Sequence, residues 1–257
     1  MGKFEDLARK VVRVIVYKGK NRLNTIKEHV AGKGYAVGFQ DLIEYINSKL
    51  PSNEEIGKAF RKEVKVYPEI AIRELVANAL IHQDYGITGT GPMIEIFEDR
   101  IEIGNPGKPL INTLRFIDSS PQSRNERLAF FMRRINICEE RGSGIDKVVN
   151  SAEVYQLPAP DFIEEENHLK VVMYAPKSLR QMERKDKIRA CYQHCCLKYV
   201  SADSMTNKSL RERFKIEEQN YSMASRIIAD TIDEKLIKGF DPSSKSKKHA
   251  KYIPYWA

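Results

Sequence analysis

The chain has no apolar run approaching the roughly 20 residues needed to cross a bilayer, and its first residues lack the apolar core of a signal peptide. A membrane-spanning or secreted protein is not expected, and the reading is cytoplasmic. A Gly-x-x-x-x-Gly-Lys-[Ser/Thr] loop is also missing, which argues against a translocating motor of the P-loop kind. Cysteine is scarce. Cys138 stands alone, and Cys191, Cys195 and Cys196 share one expected helix with His194. Zinc sites draw ligand pairs from two separate segments, and no second Cys or His pair occurs, so this group reads as reduced thiols packed in a helix. Internal repeats and low-complexity tracts are absent as well.

What remains is an ordinary soluble composition, 42% hydrophobic and 30% charged over 257 residues, enough for about two domains with real cores. The charge is uneven. From Arg180 onward there are 17 Lys/Arg against 10 Asp/Glu, a net of +7, leaving 26 against 25 for the rest of the chain. Excess positive charge in the last third points to an anionic partner such as nucleic acid.

Taken in order, Val11–Tyr17 reads as a strand entering a turn at Lys18–Asn21, followed by an extended segment near Leu23–Val30 and a helix at Phe39–Leu50. Pro68 opens an amphipathic helix that begins near Glu69, with Ile70, Ala71, Leu75 and Ala79 at helical spacing and Ile72 as a further candidate. Glu74 and Asn78 are four apart and share one face of it, with His82 four further on. A carboxylate and an amide so placed can serve a water and a hard cation together, or form a solvated face. Met93–Phe97 and Arg100–Ile103 flank Glu98-Asp99 as a tight hairpin that feeds Gly104-Asn105-Pro106-Gly107. Residues Leu110–Arg127 read as loop and Leu128–Ile135 as helix. A further helix starts at Gly144 or Ile145, after Gly142-Ser143-Gly144, and His168–Tyr174 is a final strand. Glycines at a helix start let backbone N–H groups approach a phosphate. The fold class is α+β, with helices on one side of a mostly antiparallel sheet.

The last third reads as helices at Glu183–Tyr199, Ser209–Phe214 and Ser222–Leu236, then strands at Ile237–Phe240 and Tyr252–Tyr255 joined by a basic loop. This order is that of a winged helix. The long third helix would enter the major groove of double-stranded DNA, with Ser222, Ser225 and Arg226 facing outward. Lys245, Lys247 and Lys248 of the wing would meet phosphates. A winged helix that binds protein is the alternative.

The segments EIAIRELVANALIHQDY, DRIEIGNPGKPL, SRNE and EERGSGIDKV resemble the GHKL-type (histidine-kinase-like) ATP-binding domain of a group of bacterial regulators. Those proteins pair it with a Schlafen AlbA-type DNA-binding domain, and many are labelled RecG-like ATP-dependent DNA helicases. The resemblance implies a GHKL-type α/β sandwich at residues 51–178 and a winged-helix domain at 179–257. Residues 1–50 would be the tail of an AlbA-type domain. It also implies ATP and Mg2+ as cofactors, with Glu74 polarising water, Asn78 binding the metal, Asn105 and Gly107 at the base, and Gly142 and Gly144 over the phosphates. Asn105 stands where relatives carry an aspartate that reads the adenine amino group. His82-Gln83-Asp84 stands where they often read His-Arg-Asp. The leading expectation is a DNA-binding transcriptional regulator that senses ATP, with a homodimer as one means of response. The alternatives are a weak Mg-dependent ATPase acting on DNA or a protein, and a scaffold that binds no nucleotide.

Overall fold

Isoleucines at 94, 96, 101 and 103 alternate with Glu95 and Glu102, so pairing these strands makes one apolar face and one carboxylate face. In a computed structural model of the protein, described over residues 10–56, 61–138, 142–241 and 250–257, this pairing forms the centre of a six-stranded sheet. The strands are β1 (Arg13–Tyr17), β2 (Thr25–Val30), β5 (Met93–Ile96), β6 (Arg100–Pro106), β7 (Asp161–Glu164) and β8 (His168–Tyr174), in the order β2-β1-β5-β6-β8-β7. Among the described residues the β1–β5 pair alone is parallel, with Val14 opposite Ile94 and Val16 opposite Ile96. A separate hairpin, β3 (Ser52–Ile56) with β4 (Arg61–Lys65), precedes the first site helix.

The chain divides into two compact units, Met1–Ser151 with Pro160–Ala175 and Ala152–Ala159 with Pro176–Ala257. The expected segments 1–50 and 51–178 are therefore not separate. Strand β1 hydrogen-bonds directly to β5, which makes the N-terminal hairpin part of the same sheet. Arg22, in the turn of that hairpin, adds a second tie. Its guanidinium donates to both carboxylate oxygens of Glu95 at 2.6 Å and to Glu102 at 3.2 Å. Glu95 and Glu102 lie directly opposite each other and are both buried, a like-charge pair that would be costly alone. Arg100 completes the neutralisation at 2.6 Å from Glu102, and the Tyr17 hydroxyl donates to Glu95 at 3.0 Å.

On the other face of the sheet lies α2 (Glu69–His82), between the sheet and the helices α1 (Tyr35–Lys49) and α3 (Glu126–Arg134). Pro68 stands just before its first turn and caps it, accepting from the Ala71 and Ile72 amides. The helix is buried on most sides, through Ala71, Ile72, Leu75, Val76, Ala79 and Leu80 among others. The expected amphipathic stripe was too narrow, and Ile70 points to solvent at 44% exposure. Neighbours on several sides explain the departure. A further helix, α4 (Gly144–Val154), follows the Gly142–Gly144 turn, and its last turn counts with the second unit.

The second unit is built in the order α5 (Arg184–Val200), β9 (Met205–Thr206), α6 (Asn207–Phe214), α7 (Tyr221–Asp233), β10 (Ile237–Gly239) and β11 (Lys251–Pro254), with a three-stranded sheet β10-β11-β9. Its core joins Ile188, Cys191, Cys195, Leu210, Ala224, Ile227 and Ile228. Burial pushes the Cys191 thiol up to about 12. His194 is held elsewhere than by the cysteines: Nδ1 lies 3.0 Å from Glu153 Oε2 and Nε2 3.1 Å from Ser209 Oγ. Ser209 also forms a reciprocal cap with Thr206 at the start of α6. Ile232 is 38% exposed, near the end of α7 at Asp233, and the chain then turns at Lys235 through a positive φ of 55°.

Candidate nucleotide site

Helix α2 carries Glu74 and Asn78 one turn apart, toward the start of α4. The Glu74 side chain is 4% exposed, and its Oε1 lies 3.6 Å from the Arg73 guanidinium. Opposite it stands Gly144. A Cβ at that position would lie 3.0 Å from Glu74 Oε2 and 3.8 Å from Asn78 Nδ2, so a side chain there would crowd the carboxylate and fill the gap. Glycine keeps the gap open.

The second wall comes from the end of β6. Asn105 is buried, and its Nδ2 donates to the Pro106 carbonyl at 3.2 Å. Gly107 follows at φ +110°, a region L side chains avoid, and a Cβ there would meet Asp84 Cβ at 3.0 Å. Two backbone bonds hold the turn: Asp84 N–H donates to Pro106 O at 2.7 Å and Gly107 N–H to Asn167 O at 2.8 Å.

Glu74, Asn78, Asn105, Gly107, Gly142 and Gly144 all line one cavity of about 170 Å³. Lys108 and Arg133 bring positive charge to its wall, and Phe116 and Phe162 meet edge to face on another side, with centroids 5.3 Å apart. The donor set is thus a carboxylate, two amides and cations beside an aromatic and apolar wall. That chemistry suits a polyanion with a planar head.

Arg124 and Asn125 are the residues that spacing did not reveal. Arg124 donates to the His82 carbonyl at 3.2 Å, to Asp84 Oδ2 at 3.3 Å and to the Lys108 carbonyl at 2.6 Å. Asn125 donates to the carbonyls of Ile81 and Gln83 at 2.7 and 2.8 Å. Together they satisfy the carbonyls at the end of α2 and tie that end to the Gly107 turn. Their one signal in the sequence was membership of the SRNE segment, which carried no assignable role. His82 also lines the cavity. Burial, and then the charge of Arg124, hold its imidazole below the usual range.

In the second unit, Ser222, Ser225 and Arg226 are exposed on α7. Asn207 Nδ2 donates to the Ser225 hydroxyl at 3.0 Å, so that side chain is already engaged within the unit. Lys245, Lys247 and Lys248 lie outside the described residues. Among those described, no helix is long and apolar enough to cross a membrane, and no group of His, Cys, Asp and Glu is arranged to hold a metal ion.

Residues 89–173 match the protein family described as "Putative ATP-dependent DNA helicase recG C-terminal", an ATPase-type domain. The fold is similar to that of the DIP2311 protein from Corynebacterium diphtheriae, known from a crystal structure. The TM-score is 0.62 at 16% identity, over 97% of this chain and 52% of that one. The present chain therefore spans about half the length of that structural relative. No curated protein matches it.

Proposed function

We propose that the first unit binds ATP with Mg2+ in the cavity and that the second unit is a winged helix that binds double-stranded DNA, making the protein a nucleotide-responsive transcriptional regulator. The observation that carries the nucleotide half is the meeting of Glu74 and Asn78 with the bare backbone of Gly144. A carboxylate and an amide then face a helix start that no side chain shields. The matched family, named for ATP dependence, supports the same reading.

In this reading Asn78 would hold the metal, and Gly142 and Gly144 would let backbone N–H groups reach the phosphates. Asn105 and Gly107 would take the base, with an uncharged amide where a carboxylate is usual. Bound there, Mg2+ would offset phosphate charge and polarise the terminal phosphoryl group. Glu74, nearly buried and beside Asn78, is the group placed to orient a water. Calorimetry with ATP and Mg2+ on the wild type and on Asn78→Ala is the test. Binding by the wild type that weakens at least tenfold in the variant is expected, and equal heats would end the proposal. Phosphate release unchanged in Glu74→Ala would remove hydrolysis by that residue.

The DNA half rests on the element order helix, strand, helix, helix, strand, strand with sheet β10-β11-β9, and on the net +7 of the last third. Helix α7 would lie in the major groove with Arg226 toward the bases. Occupancy of the cavity would alter DNA binding by changing the placement or dimerisation of the winged helices. A duplex-binding titration against salt checks this, and no affinity at low ionic strength would sink it.

A further inference from the structure

Helix α3 has an outer face opposite in character to that of an ordinary surface helix. Ala129 and Met132 are buried beneath it, whereas Arg127, Phe130, Phe131, Arg134 and Ile135 are all exposed. Those positions follow the i, i+3, i+4, i+7, i+8 spacing of one helical stripe. Phe130 keeps 56% of its surface in water and Phe131 50%. Two adjacent phenyl rings left so exposed forgo about half of the burial that a core position would give them, so the face calls for a partner.

The charge around the rings says what kind. The guanidinium carbons of Arg133 and Arg134 lie 6.0 and 5.9 Å from the Phe130 centroid, within cation–π range. Arg127 stands one turn before the rings and Arg134 one turn after. Among the described residues neither has a carboxylate partner. Arg73, from α2, reaches the same end of the helix and donates to the Asn136 carbonyl at 2.5 Å.

We propose that this face binds single-stranded nucleic acid, with bases stacking on Phe130 and Phe131 and phosphates meeting Arg127 and Arg134. Planar rings set between cations are what a polyanion with exposed bases requires, and stacking of this sort is tolerant of sequence. A second copy of the chain fits less well, because two-fold pairing would set the arginine stripe against itself. An acidic peptide would satisfy the arginines but would not need two rings in water. Arg133 lines the cavity, but Arg127, Phe130, Phe131 and Arg134 do not, so the face they form is distinct from the site proposed above.

The test uses the full chain and fluorescence anisotropy with a labelled oligothymidylate, across a salt series. The wild type is expected to bind at low salt, and Phe130→Ala with Phe131→Ala to weaken that binding by roughly tenfold or more per ring. Arg127→Gln with Arg134→Gln should flatten the salt dependence. Phe→Trp at both ring positions should retain affinity. Arg226→Ala should lower duplex binding and leave the oligothymidylate unaffected, which separates failure here from failure of the winged-helix reading. The rings are exposed, so urea unfolding of the ring variant should match the wild type. The proposal is overturned by a wild type that fails to bind or by a ring variant that binds equally well. Polyglutamate competing as strongly as the oligonucleotide would also overturn it. So would sedimentation in which the ring variant turns a dimer into a monomer while its oligonucleotide affinity is unchanged.

Discussion

The two faces of the central sheet each hold buried carboxylates, and they treat them in opposite ways. On one face Glu95 accepts two 2.6 Å bonds from Arg22, and Glu102 is shared by Arg22 and Arg100. On the other, above the isoleucines, Glu74 has a 3.6 Å charge contact with Arg73 and faces the bare backbone of Gly144. Burial alone therefore does not mark a functional carboxylate. What differs is what each carboxylate faces: a guanidinium reaching in from another strand connection, or a gap beside a helix start. The first pair joins the N-terminal hairpin to the sheet, while Glu74 lines a cavity.

This contrast can be broken from either side, and the largest effect should come from the apolar layer between the two faces. Ile101 is fully buried beside Glu102 on the same strand. Ile101→Ala should lower unfolding free energy by about 2–5 kcal/mol, measured by urea denaturation. A loss under about 1 kcal/mol would mean that the layer is not packed as described. Next comes Arg22→Ala, which strips donors from two buried carboxylates and should cost about 1–3 kcal/mol. Because Arg22 is half exposed, the lower part of that range is the better expectation. Nucleotide affinity should not change in that variant, and a matching drop would show that the two faces are not independent.

Gly144→Ala turns to the other face. It should lower stability by about 1 kcal/mol or less, because the added methyl crowds Glu74, but weaken nucleotide binding about tenfold, equivalent to roughly 1.4 kcal/mol. Calorimetry beside a melting curve reads both. The smallest effect concerns His82, whose imidazole is held below its usual range by burial and Arg124. The unfolded chain then binds the extra proton first, so the stability this group supplies is present above the ordinary histidine value and falls as pH drops below about 6.5. His82→Gln should make stability less steep with pH below about 6.5. Unaltered steepness would remove His82 as the source.

Much of the architecture was legible in the residues. Pro68 and the spacing after it located α2, which runs from Glu69 to His82. The alternation around Glu98-Asp99 located β5 and β6, although β6 continues to Pro106, three residues beyond Ile103. Short elements were missed, among them β7, β9 and the β3–β4 hairpin, because two to five residues carry too little periodicity to register. The kinship of residues 1–50 with the sheet was also hidden, since a parallel pairing of β1 with β5 leaves no mark in either strand.

By itself the sequence determined the local features: where α2 starts, that Glu74 and Asn78 share its face, and that glycines stand at 107, 142 and 144. Each is set within a few residues by backbone sterics and side-chain periodicity. Only the tertiary structure decided that these pieces line one cavity, that Gly144 faces Glu74 across a gap one methyl group would close, and that Arg124 ties the end of α2 to the Gly107 turn. The tertiary structure also left Phe130 and Phe131 in water. Contacts between distant parts of the chain depend on how layers pack, and packing is a property of the whole core.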